Sequence, residues 1–142
     1  MKIFLVSEVF PPQTGGSGRW FWEIYRRLER SETLIAAGSQ PGDAEFDNTH
    51  DLQVHRLPMS FPSWGVVGLD GMRCYGRLKR SLNRLAAPFQ PAQIHCGKVL
   101  PEGYAAFRVA EKLGVPLLCY VHGEELNIAG GSRELRWMAR RI

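Results

Sequence analysis

Residues 3 to 28 constrain the fold more than any other stretch, because they read as a buried strand, a proline–glycine loop and then a helix. Ile3-Phe4-Leu5-Val6 is a short apolar run, the pattern of a strand covered on both faces. Phe10-Pro11-Pro12-Gln13-Thr14-Gly15-Gly16-Ser17-Gly18 follows. Its prolines hold an extended approach, and its glycines let backbone N–H groups come close to something bulky. From Arg19 onward Phe21, Ile24, Tyr25 and Leu28 recur at helical spacing, so a helix begins near the last glycine. A helix N-terminus carries unpaired N–H groups and partial positive charge, which suit a phosphate or diphosphate. Strand, loop and helix in that order predict anion binding at Gly15, Gly16 and Ser17. The competing reading is that the glycines only make a tight turn.

The same alternation continues along the chain. Thr33 to Ala37 is a second short apolar run, ended by Gly38. Ser39 to Asp51 has no periodicity and reads as a loop. Leu52 to Leu57 alternates apolar and polar residues like an edge strand, and Pro58 stops it. An irregular connection over Ser60 to Gly71 leads to an amphipathic helix marked by Tyr75, Leu78, Leu82 and Leu85, which Pro88 and Pro91 end. Gln93 to Cys96 reads as a fourth strand and Glu102 to Leu113 as a helix, with Gly114 as its C-cap and Pro116 preventing continuation. Leu117 to Val121 reads as a fifth buried strand, followed by the polar stretch His122-Gly123-Glu124-Glu125. Ser132 is placed to cap a final helix through Leu135, Met138 and Ile142.

Strands alternating with helices predict an α/β fold: a Rossmann-like parallel sheet with helices on both faces and right-handed crossovers. In such sheets ligands bind outside the carboxyl ends of the strands, where strand order reverses. With strand one central, that rim collects Ser7-Glu8, His95-Cys96-Gly97-Lys98 and His122-Gly123-Glu124-Glu125. His122 is the candidate for donating to a hydroxyl or stabilising charge, with Gly123 bringing backbone close to a ligand. Its alternative is a strand-end histidine satisfied by a neighbouring carbonyl. His95 reads at least equally well as structural, and His50 and His55 as surface residues. Glu8, Lys98, Glu124 and Glu125 are candidates for holding an acceptor. For the two adjacent glutamates, solvation or capping weighs about as much, and for Lys98 plain surface weighs more.

Composition narrows the class. The 142 residues, 44% hydrophobic and 23% charged, suit one soluble domain with a real core. A net charge of +4 favours anionic ligands in general. Three widely spaced cysteines without a CxxC pair fit reduced thiols, hence a cytoplasmic setting. Neither a signal peptide nor a membrane span is expected. Phe21 breaks GxGxxG, GxxxxGK[ST] is missing, Arg19 breaks GxSxG, and no DxD pair holds a metal. Nucleic-acid binding rests on charge alone. The arginines of the Arg73–Arg84 and Arg133–Arg141 stretches read as solvated helix faces, with peripheral contact to an anionic membrane left open.

Phe10-Pro11-Pro12 with Gly15-Gly16 after a first strand resembles the opening of retaining glycosyltransferases of the GT-B fold, family 4. Ile94-His95, the helix Gly103–Leu113, Gly114-Val115-Pro116 and Val121-His122-Gly123-Glu124-Glu125 look like that family's middle section, in the right order. The resemblance runs from Met1 to about Glu125. It implies transfer of a sugar, of hexosyl type, from a nucleotide-diphosphate donor to a saccharide, lipid or small-molecule acceptor with retention. It further implies that Gly15 and Gly16 lie against the donor diphosphate, that His122 contacts the donor sugar, and that no metal or other cofactor is needed. The family keeps its nucleotide pocket in a second Rossmann-like domain, which this sequence does not contain. Residues 1–142 are therefore expected to be one acceptor-side domain, incomplete at its C-terminal end and inactive alone. A non-catalytic split module, binding an acceptor or partner chain or self-associating through an unfinished sheet, is the alternative. Another Rossmann-like nucleotide binder is a third reading, against which the broken GxGxxG argues.

Overall fold

The computed structural model describes the backbone of all 142 residues and every side chain except those of Glu124 and Glu125. Its centre is a five-stranded parallel sheet of β1 (Ile3–Ser7), β2 (Thr33–Gly38), β3 (Gln53–Leu57), β4 (Gln93–Cys96) and β5 (Leu117–Cys119), in the order β3-β2-β1-β4-β5. The expected Rossmann-like α/β sheet is therefore present, with β1 in the middle and strand order reversing between β1 and β4.

Strand periodicity divides the core. Phe4, Val6, Leu34, Ala36, Ile94 and Cys96 face one layer, where α3 (Leu69–Phe89) and α4 (Tyr104–Leu113) pack through Tyr75, Leu78, Leu82, Ala106 and Val109. Leu5, Ile35 and Ala37 face the other, packed by Phe21 and Tyr25 of α1 (Gly16–Tyr25). Apolar residues on both parities of a strand are what two covering layers require. Arg56, at the open end of β3, ties the loops together: it bonds both carboxylate oxygens of Asp47 (2.9 and 2.6 Å) and the carbonyls of Gly38 and Pro11.

Several elements depart from the sequence reading. Helix α1 begins at Gly16 rather than at the last glycine and ends at Tyr25, where bonds from Arg27 N to Ile24 O and from Leu28 N to Tyr25 O tighten the chain into a turn. The stretch 39–51 is not all loop, because α2 (Asp43–Asp47) forms behind left-handed Gly42 and is anchored by Phe46 against Trp22. One anchoring ring leaves no periodicity to read. Helix α3 starts at Leu69 and runs through Pro88 to Phe89. In the last turn the missing proline N–H deprives only the carbonyl of Arg84, and both residues are exposed to water. Gln90, in the left-handed region, ends the helix.

Helix α4 begins at Tyr104, and Glu102 lies in the irregular turn Val99–Gly103 before it; Gly114 caps α4 as expected. The fifth strand is short and sits at the edge of the sheet, so it is not buried: Leu118 is 43% and Val121 53% exposed. The stretch after His122 is no simple polar loop, since α5 (Glu124–Gly130) starts behind left-handed Gly123. The Ser132 side chain caps α6 (Arg133–Ala139), which stops short of Ile142 because Arg140 to Ile142 close it with turn bonds.

Candidate functional site

The crevice between β1 and β4 is opened by two diverging connections. Beyond Val6 and Cys96 the strands touch once more, through the bond from Gly97 N to Val6 O (2.8 Å). Gly97 has to lack a side chain there, because a Cβ would lie 2.3 Å from Ser7 Oγ. β1 then leaves toward α1 and β4 enters the turn Val99–Gly103. The space between is lined by residues from all three strand ends, as the topology rule predicts.

One wall is the N-terminus of α1. Gly15 and Gly16 have nothing within 4 Å of where a Cβ would stand, and no side chain caps the helix. The first turn carries no acidic residue to offset the partial positive charge of its unpaired N–H groups. An open depression of about 500 Å³ is bordered there by Gly16, Ser17, Trp20, Tyr120, Val121 and His122. Trp20, 44% exposed, meets Tyr120 edge-on at 4.9 Å.

His122 stands opposite Ser17, its ring edge-on to Phe21 at 6.1 Å, and its Nε2 bonds the carbonyl of Gly97 at 3.0 Å. The carbonyl partner named as the alternative for this histidine is present, yet the ring also faces the depression. Gly123, left-handed at φ 90°, gives the sharp exit from β5 that only glycine adopts readily. Glu124 and Glu125, candidates for acceptor binding, lie outside the described side chains.

Glu8 and Lys98 meet as an ion pair across the mouth of the crevice, both partly buried. Lys98 also lies 5.7 Å from the Trp64 ring centroid. Beneath them lies a residue the sequence reading placed only at a helix start. Glu102 is fully buried, and its Oε1 accepts from Glu8 N at 3.2 Å. Its Oε2 has no hydrogen-bond partner among the described residues. Burial pushes its carboxyl up to about 8, against the pull of the Lys98 charge. The only local signal was a lone charge inside the otherwise apolar and small run Val99-Leu100-Pro101-Glu102-Gly103.

The other histidines serve the fold. His95 points away from the rim into the α1 layer, where its Nδ1 and the Tyr25 hydroxyl share a hydrogen bond of 2.5 Å, and burial lowers its proton affinity. His50 is not a surface residue: its side chain is 7% exposed, between Trp22 and Phe46, with Nδ1 accepting from Leu52 N. His55 is exposed as expected. Cys74, Cys96 and Cys119 form no disulfide. No helix among the described residues is long and apolar enough to cross a membrane.

The sequence pattern of Glycosyltransferase Family 4 matches residues 14–142. No curated protein sequence matches the chain. Among solved structures it is similar to HepE of Anabaena in complex with UDP, with a TM-score of 0.62 at 13% identity over 100% of this chain and 36% of that one. It is also similar to the UDP-GlcNAc 2-epimerase of Neisseria meningitidis bound to UDP-GlcNAc, with a TM-score of 0.59 at 13% identity over 99% and 38%. The chain thus spans little more than a third of these neighbours, which share its fold. The match of the family pattern across nearly the whole sequence places this chain in Glycosyltransferase Family 4.

Proposed function

We propose that this chain is the N-terminal, acceptor-side part of a glycosyltransferase that moves a sugar from a nucleotide-diphosphate donor to a hydroxyl-bearing acceptor with retention. The observation that carries the reading is the convergence, at the switch point between β1 and β4, of the uncapped α1 N-terminus, His122 and the Glu8–Lys98–Glu102 group. An anion-favouring helix end facing a depression large enough for a sugar is the arrangement such a reaction needs on this side.

In the proposed reaction the acceptor oxygen bonds the anomeric carbon on the face from which the diphosphate leaves. The carbon–oxygen bond to the diphosphate breaks, and the acceptor proton passes to a departing phosphate oxygen. The amides of Gly15, Gly16 and Ser17 stabilise the charge that grows on the leaving group. His122, its Nε2 proton held by Gly97 O, orients the sugar edge. Glu8 and Lys98 border the acceptor. A second domain supplies the nucleotide pocket, in a cytoplasmic protein that needs no metal for this step.

The test is a donor screen on the full-length gene product. Release of nucleoside diphosphate from one or more nucleotide sugars, only with acceptor present and with the product anomer matching the donor, is expected. Inverted product, or no acceptor-dependent release from any donor, overturns the reading.

A further inference from the structure

Positive charge is concentrated on one side of the domain, away from the crevice floor. Helices α3 and α4 and residues 133–142 hold eleven of the 18 lysines and arginines but only three of the 14 acids. The rest of the chain holds seven cations against eleven acids, so this side accounts for the net charge of +4. Its three acids are engaged: Glu111 bonds Arg108 at 2.7 Å, Asp70 lies 4.0 Å from Arg73, and Glu134 accepts from the N–H groups of Val66 and Val67. On α3 the buried Tyr75, Leu78, Leu82 and Ala86 set the inner face, and Arg73, Arg77, Arg80 and Arg84 recur at helical spacing along the opposite, exposed crest. Beside that crest a groove of about 470 Å³ between α3 and α4 adds Lys79, Arg108 and Lys112. Lys79 and Arg108 also border a second hollow of about 460 Å³, where Met72, Tyr104 and Trp137 replace the charges. Around this end Val67, Leu69, Met72 and Trp137 stand out from the surface, each between 48% and 76% exposed. Leu69 and Met72 are one turn apart on α3, and the Glu134 bonds hold Val67 beside the turn of α6 that carries Trp137.

We propose that this side of the domain docks on the surface of an anionic lipid bilayer, the arginine crest of α3 against the headgroups and Val67, Leu69, Met72 and Trp137 in the boundary with the acyl chains. The cations alone would fit any polyanion. Aliphatic side chains protruding at the edge of a basic face gain free energy only where hydrocarbon receives them, and an exposed tryptophan beside them suits the headgroup level. The apolar face of α3 is already spent on the core, so the helix lies on the lipid surface with its polar crest outward rather than sinking into it. Trp64, on the same loop as Val67, lies 5.7 Å from Lys98, so a bilayer held here is beside the crevice mouth. The docking face is independent of the transferase reading.

The probes are vesicles of phosphatidylcholine alone and of phosphatidylcholine with about one-third phosphatidylglycerol. The full-length gene product should partition onto the anionic vesicles at least about ten-fold more strongly than onto the neutral ones, and lose about ten-fold as NaCl rises from about 0.1 to 0.5 M. Arg77→Ser, Arg80→Ser and Arg84→Ser combined should weaken binding at least about ten-fold, whereas Lys at the same three positions retains it. Leu69→Ser with Met72→Ser should weaken it about three- to ten-fold. Tryptophan emission should move to the blue on binding, by an amount that Trp137→Phe reduces. The substituted side chains are exposed, so the unfolding midpoints of the variants should stay near that of the parent. No partition onto anionic vesicles, equal partition onto neutral ones, or binding that the three serines leave intact overturns the docking face. Binding indifferent to Leu69 and Met72 overturns it as well. A single-stranded oligonucleotide that binds through the same arginines, with no vesicle binding, gives the face to a soluble polyanion instead.

Discussion

Replacing Glu102 by Gln should change how the stability of the chain depends on pH. Folded, the carboxyl holds its proton to about pH 8; unfolded, it releases it near the ordinary 4.5. Across that window the folded state binds one proton more than the unfolded state, so Glu102 makes stability fall as pH rises. The stabilising contribution is complete below pH 4.5, declines by about 1.4 kcal/mol per pH unit and is gone above about pH 8. Integrated, this is an upper bound of about 5 kcal/mol, and relaxation with water entry reduces it to about 2–4 kcal/mol. His50 and His95, held neutral by burial, act with opposite sign, adding stability as pH rises through their depressed range toward 6.5. They are common to both proteins and cancel in the difference. Urea unfolding followed by tryptophan fluorescence from pH 5 to 9 measures that difference directly. The Gln variant should gain on the parent steadily from pH 5 to 8 and then hold its advantage. Two stability curves that run parallel over the whole range would refute the reasoning, because Glu102 would then be titrating as a hydrated carboxyl.

Three further substitutions test the frame around the crevice. Tyr25→Phe removes the hydrogen-bond partner of His95 Nδ1 in a site where Nε2 has no partner among the described residues, and should cost about 1–3 kcal/mol in chemical denaturation. Gly97→Ala drives a methyl toward Ser7 Oγ and should cost at least about 1–3 kcal/mol, with Ser7→Gly in the same chain recovering part of the loss. Arg56→Ala leaves Asp47 and the carbonyls of Pro11 and Gly38 without their common donor. A loss of about 2–4 kcal/mol is expected, with faster amide exchange in α2 as the local readout.

What was legible in the sequence follows from how each element is stabilised. Strands β1 and β2 are apolar on both parities because a helical layer covers each face, so their runs stood out. Strand β5 has a similar run but lies at the edge, and apolar content alone does not distinguish Leu118 in solvent from Leu5 in the core. The Gly15–Gly16 loop, Gly114 and Ser132 were readable because turn and cap chemistry is local. Glu102 was not readable as a site residue, since Glu8 N, which bonds its carboxyl, is 94 positions away and its burial depends on the path of the turn. His50 was missed for the same reason: Trp22 and Phe46 enclose it from elements that sequence proximity does not connect.

The location of Glu102 follows from strand parity and the reversal of strand order together. Period two sends Val6 and Cys96 into the α3–α4 layer and His95 into the α1 layer, so the two central strands reach their ends in register. Gly97 against Ser7 is the last close contact, after which one connection must pass to each face of the sheet. A gap at the divergence is unavoidable in this topology. Apolar residues filling it would close the crevice. A carboxyl held from one side by Glu8 N keeps it open, and the Glu8–Lys98 pair above screens it without neutralising its second oxygen. The fold thus supplies the recess, and the single acid in an apolar turn is buried at its wall.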